Sequence, residues 1–289
     1  MPLRAVGCRI ANRAQRRRLT GTLRRFSPID HLPSRMTALS ISSNRHRVSC
    51  IICAFNEAPR IGAVLAVATV HPLLDEVIVV DDGSTDGTAD VVRRFPSVRL
   101  ITCPVNRGKS AAMAVGIAAA HNALLMLLDA DLKGLASEHI TALAAPVLSG
   151  AADVSMSLRQ NSLLLFRAIG LDFVSGERVV RKELLSEALK EIHRLPRVGI
   201  EVFMNDLIIE RRLSIAVTHW PKVTQARKTE KLGYWAGVRA EWRMIADVLK
   251  VSYPLALLSQ TCHLFSLRVD HAGHAPFFVR IRNPRDNVA

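Results

Sequence analysis

The stretch Leu124-Leu125-Met126-Leu127-Leu128-Asp129-Ala130-Asp131 decides how the rest of the chain is read. Five apolar residues in succession fit a strand buried on both faces, and the two acids fall at its carboxyl end. In open α/β sheets that end is where ligands bind. Two carboxylates separated by one small residue converge on a hard divalent cation where the backbone turns, and Mg²⁺ usually takes one or two carboxylates plus substrate phosphates. An isolated D-x-D is also what a polar turn after a strand looks like, so its meaning depends on its company.

Upstream, the same strand-then-polar pattern repeats. Val48-Ser49-Cys50-Ile51-Ile52-Cys53-Ala54 reads as a strand, followed by Phe55-Asn56-Glu57 and a helix that Pro59 opens and that runs to about Val70. Val77-Ile78-Val79-Val80 reads as the next strand and ends in Asp81-Asp82-Gly83-Ser84-Thr85-Asp86. Ser84, Thr85 or Asp86 is expected to cap the helix carrying Ala89 to Arg94. Val98–Thr102 gives a third strand, and Asn106-Arg107-Gly108-Lys109-Ser110 leads into a small-residue helix over Ala111–Ala120. Strand alternating with helix predicts an α/β fold, a mostly parallel sheet flanked by helices. Three strand ends then carry polar clusters, Asn56/Glu57, Asp81/Asp82 and Asp129/Asp131, and a nucleotide in the crevice would meet all three. Asp82 is placed to accept from a base N–H or a ribose hydroxyl. No G-x-G-x-x-G follows the first strand, which disfavours a dinucleotide cofactor. Gly108-Lys109-Ser110 looks like the end of a P-loop, but Cys103 stands where the first glycine belongs, which excludes that reading.

Taken together, Cys53-Ala54-Phe55-Asn56-Glu57, Val80-Asp81-Asp82-Gly83-Ser84-Thr85-Asp86, Asn106-Arg107-Gly108-Lys109 and Leu128-Asp129-Ala130-Asp131 resemble the sequential motifs of family 2 glycosyltransferases with the GT-A (Rossmann-like) fold. The resemblance continues more loosely downstream, toward the polyprenyl-phosphate sugar transferases of the dolichyl-phosphate mannose synthase type. Asp153–Arg159 is similar to their strand ending in Arg. Asp172-Phe173-Val174-Ser175-Gly176-Glu177-Arg178 resembles their acceptor-side D-x-x-S-G segment, and Gly199-Ile200-Glu201 opens a helix in the place of their G-x-E. Arg227-Lys228-Thr229-Glu230-Lys231-Leu232 is similar to their R-x-x-G-E-S-K-L loop, with Thr229 departing from the Gly-rich form. Cys53 and Phe55 stand where the first motif usually has Pro and Tyr.

The resemblance implies transfer of a sugar, of the hexosyltransferase type, from a nucleotide-diphosphate sugar to an acceptor. Asp129 and Asp131 would hold Mg²⁺ or Mn²⁺ against the diphosphate, with Ala130 between them. Cys53, Phe55, Glu57 and Asp82 would hold the nucleoside, and Lys109, Arg159 and Arg227 would neutralise phosphate oxygens. A hydroxyl acceptor needs a general base, for which Glu201, Asp172 and Asp206 are candidates. A phosphate acceptor needs none and would use Arg159, Arg178 and Arg227. The acceptor implied is a polyprenyl phosphate or other lipid. A small soluble anionic acceptor such as a phosphoglycerate is the alternative, and a nucleotide-diphosphate-binding module without turnover is a third reading. His219, in Val217-Thr218-His219-Trp220-Pro221, is read as structural.

Composition sets the remaining bounds. The 289 residues are 49% hydrophobic, enough for a sizeable core, and only 5% aromatic, which argues against a stacking surface for single-stranded nucleic acid. The net charge of +14 is concentrated: residues 1–48 hold eleven Arg and one acid, leaving 28 basic and 24 acidic side chains elsewhere. The high charge is therefore no argument for a nucleic-acid partner. Residues 1–46 are expected to form a basic, disordered extension, with a transit peptide, an arm for anionic lipid, or sequence upstream of a start at Met36 as alternatives. Residues 47–232 are assigned to the GT-A domain and 233–289 to an amphipathic helical tail. In that tail Tyr234, Trp235, Val238, Trp242, Ile245 and Val248 recur at helical spacing, and a second apolar segment runs from Pro254 to about Val269. These helices either pack on the sheet or form a homodimer face, or they dock at a membrane interface with the tryptophans at headgroup level. The five cysteines are scattered, and Cys50 and Cys53 lie three apart on one strand, facing opposite sides. They are read as buried thiols of a reducing cytoplasm, with the enzyme cytoplasmic or peripheral on the inner face of the membrane.

Overall fold

The computed structural model describes residues 47–162, 170–196, 199–225 and 254–269. The expectations for the Arg-rich extension, for Arg227 and its loop, and for the helix around Trp235 and Trp242 lie outside the described residues. The four described segments build one seven-stranded sheet with helices on both faces. β1 (Val48–Ala54) lies between β2 (Leu74–Asp81) and β4 (Leu124–Asp129), parallel to both, and β3 (Val98–Thr102) extends the sheet beyond β2. The apolar run that opened the reading is buried along its whole length, Asp129 included.

Register levels the strand ends. Cys53 pairs with Val80 on one side and Asp129 on the other, and Ala54 pairs with Asp81. The polar ends of β1, β2 and β4 therefore emerge along one edge. β6 (Val154–Arg159) and β8 (Ile215–Trp220) run parallel to each other and end at that edge, with Arg159 opposite Trp220. β7 (Arg178–Arg181) is the exception. It pairs antiparallel with both β4 and β6, and Leu127 faces Arg178. The residues that lead into β7 are thereby placed beside the acids at the end of β4. A short antiparallel pair, β5 (Leu132–Lys133) with β9 (Thr224–Gln225), closes over the same edge.

The core has one layer on each face, as an alternating chain buried on both sides requires. On one face α1 (Ala58–Ala68), α2 (Thr88–Arg93) and α4 (Ser137–Leu148) cover Cys50, Ile52, Val79 and Met126. On the other, α3 (Lys109–Ala119) covers Ile51, Ile78, Val80 and Leu125. The same layer holds residues of α5 (Lys182–Ser186), α6 (Leu189–Arg194) and α7 (Ile200–Glu210), and Leu264 of α8 (Pro254–Ser266). Cys50 and Cys53 do point into opposite layers. Burial pushes the Cys53 thiol up to about 12 and the Cys50 thiol higher, so both are neutral at physiological pH.

Two local expectations change. The cap of α2 is Gly87, in the left-handed region at φ 83°, and Asp86 instead accepts from the Thr88 backbone N–H at 3.0 Å. The small-residue helix starts at Lys109 rather than Ala111. That starting point puts the Lys109 side chain at the sheet edge. Among the described residues no helix is long and apolar enough to cross a membrane.

α3 approaches the sheet closely because of Gly116. A Cβ there would collide with Ile51 Cγ2 and come within 3.3 Å of Val80 Cγ2. Both are β-branched residues on central strands with little room to rotate. Gly116→Ala is expected to lower unfolding free energy by about 1–3 kcal/mol despite alanine's better helix propensity. Urea denaturation checks this; unchanged or raised stability would mean that the helix can move off the sheet.

Candidate functional site

The carboxyl end of β4 delivers Asp129 and Asp131 into a region where both are nearly fully buried. Buried carboxylates need partners. The first comes from α3. Lys109 Nζ lies 2.7 Å from Asp129 Oδ1 and 2.7 Å from Glu201 Oε1 on the first turn of α7. Burial alone would lower the lysine's pKa, but the two carboxylates outweigh it and hold Lys109 well above its ordinary value. The position of Lys109 is set by Asp82, whose oxygens accept the backbone N–H groups of Arg107 (3.0 Å) and Gly108 (2.7 Å) and pin the turn before the helix.

Gly176 closes the other side. Because β7 enters antiparallel beside β4, Gly176 lies directly against the Asp129–Lys109 pair. A Cβ built on it would lie 2.6 and 2.8 Å from the Asp129 oxygens and 2.8 Å from Lys109 Nζ. A methyl at this position would have to push the Asp129 carboxylate and the Lys109 ammonium from their present places.

The second cation is Arg159, at the end of β6. Its NH1 donates to Glu177 Oε1 at 3.2 Å and to Gln225 Oε1 at 2.7 Å, and lies 3.9 Å from Asp129 Oδ2. Its NH2 is 3.8 Å from Asp172 Oδ2. Burial would lower its pKa, yet Glu177, Asp129, Asp172 and Asp131 together hold it above its ordinary value. Glu177 is fully buried. Burial drives its pKa up, against the opposing pull of Arg159 and of the hydroxyls of Ser157 (2.6 Å) and Ser175 (2.7 Å). Arg159 Nε has no hydrogen-bond partner among the described residues. The same side chain lines a cavity of about 350 Å³ with Leu158, Gln160, His219 and Pro221. His219 is exposed on that wall rather than buried in the core.

The amide of Gln225, carried in by β9, joins these two groups. Its Nε2 donates to Asp129 Oδ2 at 3.0 Å and to Asp131 Oδ1 at 3.2 Å, while its Oε1 accepts from Arg159. Asn161, two residues beyond Arg159, clamps the Gln225 backbone from both directions, at 3.0 and 3.2 Å.

Other singled-out residues fall elsewhere. Phe55 is the exposed aromatic at the end of β1. Glu57 is buried and pairs with Arg60 one turn on, while its backbone N–H donates to Thr88 Oγ1 at 2.8 Å. Asp172 accepts from Ser162 Oγ at 2.6 Å and from the Val174 N–H at 3.1 Å, at the edge of the Arg159 cluster. Asp206 accepts from Gln260 Nε2 of α8 at 2.7 Å. Arg178 is not available to an acceptor phosphate. It is fully buried, and donates to the carbonyls of Ser175 (2.9 Å) and Phe173 (2.8 Å) and to Asn205 Oδ1 (2.7 Å). Burial lowers its pKa to about 10, still protonated at neutral pH, and it acts as the internal brace of the Asp172–Glu177 segment.

The sequence assigns no individual role to Glu177, Ser157, Gly176 or Gln225, although Gly176 and Glu177 lie in the segment that resembles the D-x-x-S-G motif and Ser157 in the strand that ends in Arg159. The alternation Ser155-x-Ser157-x-Arg159 does mark a polar face on an otherwise buried strand, and Glu177 beside Arg178 at a strand start is a second signal. Gln225 has no local signal at all. The donor set that remains for a metal is hard: among the described residues no group of three or more His, Cys, Asp and Glu side chains is placed to hold an ion. Two carboxylate oxygens that already face one hydrogen-bond donor, Gln225 Nε2, fit a small oxygen-seeking cation completed by phosphate oxygens and water.

Residues 49–164 match the family model described as glycosyl transferase family 2. The chain is 40% identical over 88 residues to the succinoglycan biosynthesis protein ExoU of Rhizobium meliloti, covering 29% of this chain and 26% of that protein. It is 25% identical over 248 residues to the dodecaprenyl-phosphate galacturonate synthase of Rhizobium johnstonii, covering 75% of this chain and 70% of the relative. The 40% match thus spans about a quarter of its relative's length. Among solved structures, the chain superposes on glucosyl-3-phosphoglycerate synthase from Mycobacterium tuberculosis, in a complex with Mn²⁺, UDP and glucosyl-3-phosphoglycerate. The TM-score is 0.54 at 24% identity, over 71% of this chain and 79% of that one. The likeness confirms the expected GT-A sheet.

Gly176→Ala is expected to leave far-UV circular dichroism unchanged while abolishing Mn²⁺-dependent nucleotide binding, because the new methyl displaces the Asp129–Lys109 pair. Isothermal titration checks this, and wild-type affinity in the variant would show that the pair is not part of the site.

Proposed function

We propose that this protein is a family 2 glycosyltransferase that moves a sugar from a nucleotide-diphosphate sugar to an anionic lipid acceptor of the polyprenyl-phosphate class. The observation that carries the reading is the pair Asp129/Asp131, buried at the carboxyl end of β4 with Lys109 and Arg159 beside it. Mg²⁺ or Mn²⁺ held by that pair would neutralise the diphosphate leaving group. Lys109 adds a point charge for a phosphate oxygen. Phe55, exposed just beyond the end of β1, offers a flat apolar surface to a nucleoside, and Asp82 and Glu57 follow the ends of β2 and β1 at the same edge. The sequence resemblance assigns Arg227, which lies outside the described residues, to the same phosphate role as Lys109.

Arg159 supports the anionic acceptor. Its buried guanidinium faces a cavity with one N–H lacking a partner. An anionic oxygen there would accept from it, and an acceptor already ionised needs no strong base. Glu201 held by Lys109, and Asp172 held by Ser162 and the Val174 N–H, then serve as positioning groups. The lipid class is favoured by the relative that aligns over three quarters of this chain, a dodecaprenyl-phosphate enzyme. A soluble phosphorylated acceptor is the second reading. It is favoured by another solved structure of glucosyl-3-phosphoglycerate synthase, a complex with phosphoglyceric acid, 25% identical over 71% of this chain. Location at the inner face of a membrane, through the tail or the basic extension, belongs to the lipid reading.

The test begins with melting curves in UDP, GDP, CDP and dTDP sugars, with and without Mn²⁺. A ligand at a hundred times its Kd adds about 2.7 kcal/mol to stability. One nucleotide sugar is expected to raise Tm only with metal, and Asp129→Asn and Asp131→Asn should each abolish the shift. A shift that survives both substitutions would remove the metal assignment. With the donor known, transfer to a short polyprenyl phosphate but not to 3-phosphoglycerate supports the lipid class, and the reverse replaces it.

A further inference from the structure

We propose that Gln225 is a positioning residue that couples cation binding at Asp129/Asp131 to anion binding at Arg159. This rests on the donor-site reading above. A primary amide has two donor hydrogens on one side and an acceptor oxygen on the other. Here both ends are engaged: Nε2 reaches Asp129 Oδ2 (3.0 Å) and Asp131 Oδ1 (3.2 Å), and Oε1 takes Arg159 NH1 at 2.7 Å. The orientation is fixed by chemistry. Carboxylates only accept and guanidinium only donates, so the opposite assignment would break all three bonds.

The backbone of Gln225 has little freedom to drift. β9 pairs with β5, where Gln225 faces Leu132, the residue after Asp131. Asn161 holds the Gln225 N–H and C=O from the other side. What remains is rotation of the side chain. The amide hydrogens and a cation between Asp129 and Asp131 compete for the same oxygens. A cation at those oxygens therefore turns the Gln225 amide away. A half-turn would set Nε2 against Arg159 NH1, donor facing donor. Either movement costs Arg159 its 2.7 Å acceptor, on a guanidinium whose Nε already lacks one. A buried charged donor left unpaired is expensive. An anion entering the cavity beside Arg159 relieves it. Cation and anion therefore favour each other's binding, and the metal-loaded donor site prepares the acceptor site.

The experiment measures free Mn²⁺ by electron paramagnetic resonance, titrating Mn²⁺ into the full chain with UDP present, with and without inorganic phosphate. In the unaltered protein, phosphate is expected to lower the Mn²⁺ Kd about fivefold or more, within the usual range of coupling between sites. Gln225→Ala and Gln225→Met remove the competing amide, and Met keeps the length and apolar stem if Ala fails to fold. Both should bind Mn²⁺ roughly three- to tenfold tighter without phosphate, the scale of one net hydrogen bond, and phosphate should then change the Kd by less than about twofold. Direct contact between phosphate and Mn²⁺ would lower the Kd by the same factor in both variants, and that result counts against the coupling through Gln225.

Coupling that survives in both variants overturns the proposal. So does weaker Mn²⁺ binding in them, which would make the Gln225 oxygen a ligand. Failure of the underlying reading looks different: the unaltered protein would take up no more Mn²⁺ than Asp129→Asn, whatever stands at position 225.

Discussion

Two carboxylates delivered to the buried end of a strand are the constraint from which the site follows. Asp129 and Asp131 cannot sit there without compensating charge and hydrogen-bond donors. Lys109 from α3, Arg159 from β6 and Gln225 from β9 all converge on them, from three separate places in the chain. Each arrives for a structural reason. The Asp82-clamped turn starts α3 at Lys109, the β6–β8 register ends at Arg159, and the β5–β9 pair carries Gln225 over the edge. Among the described residues, these two cations are shared by Asp129, Asp172, Glu177 and Glu201. Such a cluster gives little net stability for its burial, and its value lies in holding groups at fixed separations.

β7 completes the edge by running the other way. A parallel strand at that position would bring its carboxyl end beside β4. The antiparallel strand instead brings in Ser175-Gly176-Glu177 just before it starts, with Gly176 against the Asp129–Lys109 pair and Glu177 beneath Arg159. Arg178, braced on Ser175, Phe173 and Asn205, fixes the bend that makes this possible. Asn205 in turn donates to Gln260 Oε1 of α8 at 3.2 Å, so α8 is tied to the Asp172–Glu177 segment through buried polar groups. The tail segment from Pro254 thus includes a helix that packs on the body of the protein, through α7.

The sheet was legible because its strands are short apolar runs with polar ends, and β1, β3 and β6 fall where the residues indicate. Asp129, Asp131, Lys109, Arg159, Asp172 and Glu201 were legible as a set through the order of their motifs, and they do converge in space. Their individual partners were not. Arg178 looked like an acceptor ligand because it is a charged residue in a polar run, whereas its environment is set by antiparallel pairing that no local pattern reveals. Gln225 lies more than ninety residues from the acids it touches. A lone glutamine carries no periodicity, charge or spacing that would link it to them. The start of α3 was misplaced by two residues because Gly108 reads as a turn, while the loop clamp on Asp82 that starts the helix early is a long-range contact.

The central claim is that Asp129 and Asp131 form the cation end of a nucleotide-diphosphate site at the carboxyl edge of the sheet. Anomalous diffraction at the manganese edge from crystals grown with Mn²⁺ and UDP tests it most directly. The account predicts one strong peak bridging the Asp129/Asp131 carboxylates and the diphosphate, with the uracil near Phe55 and the Gln225 amide turned from its present bonds. A manganese peak elsewhere on the protein, or UDP bound away from the end of β4, would contradict it.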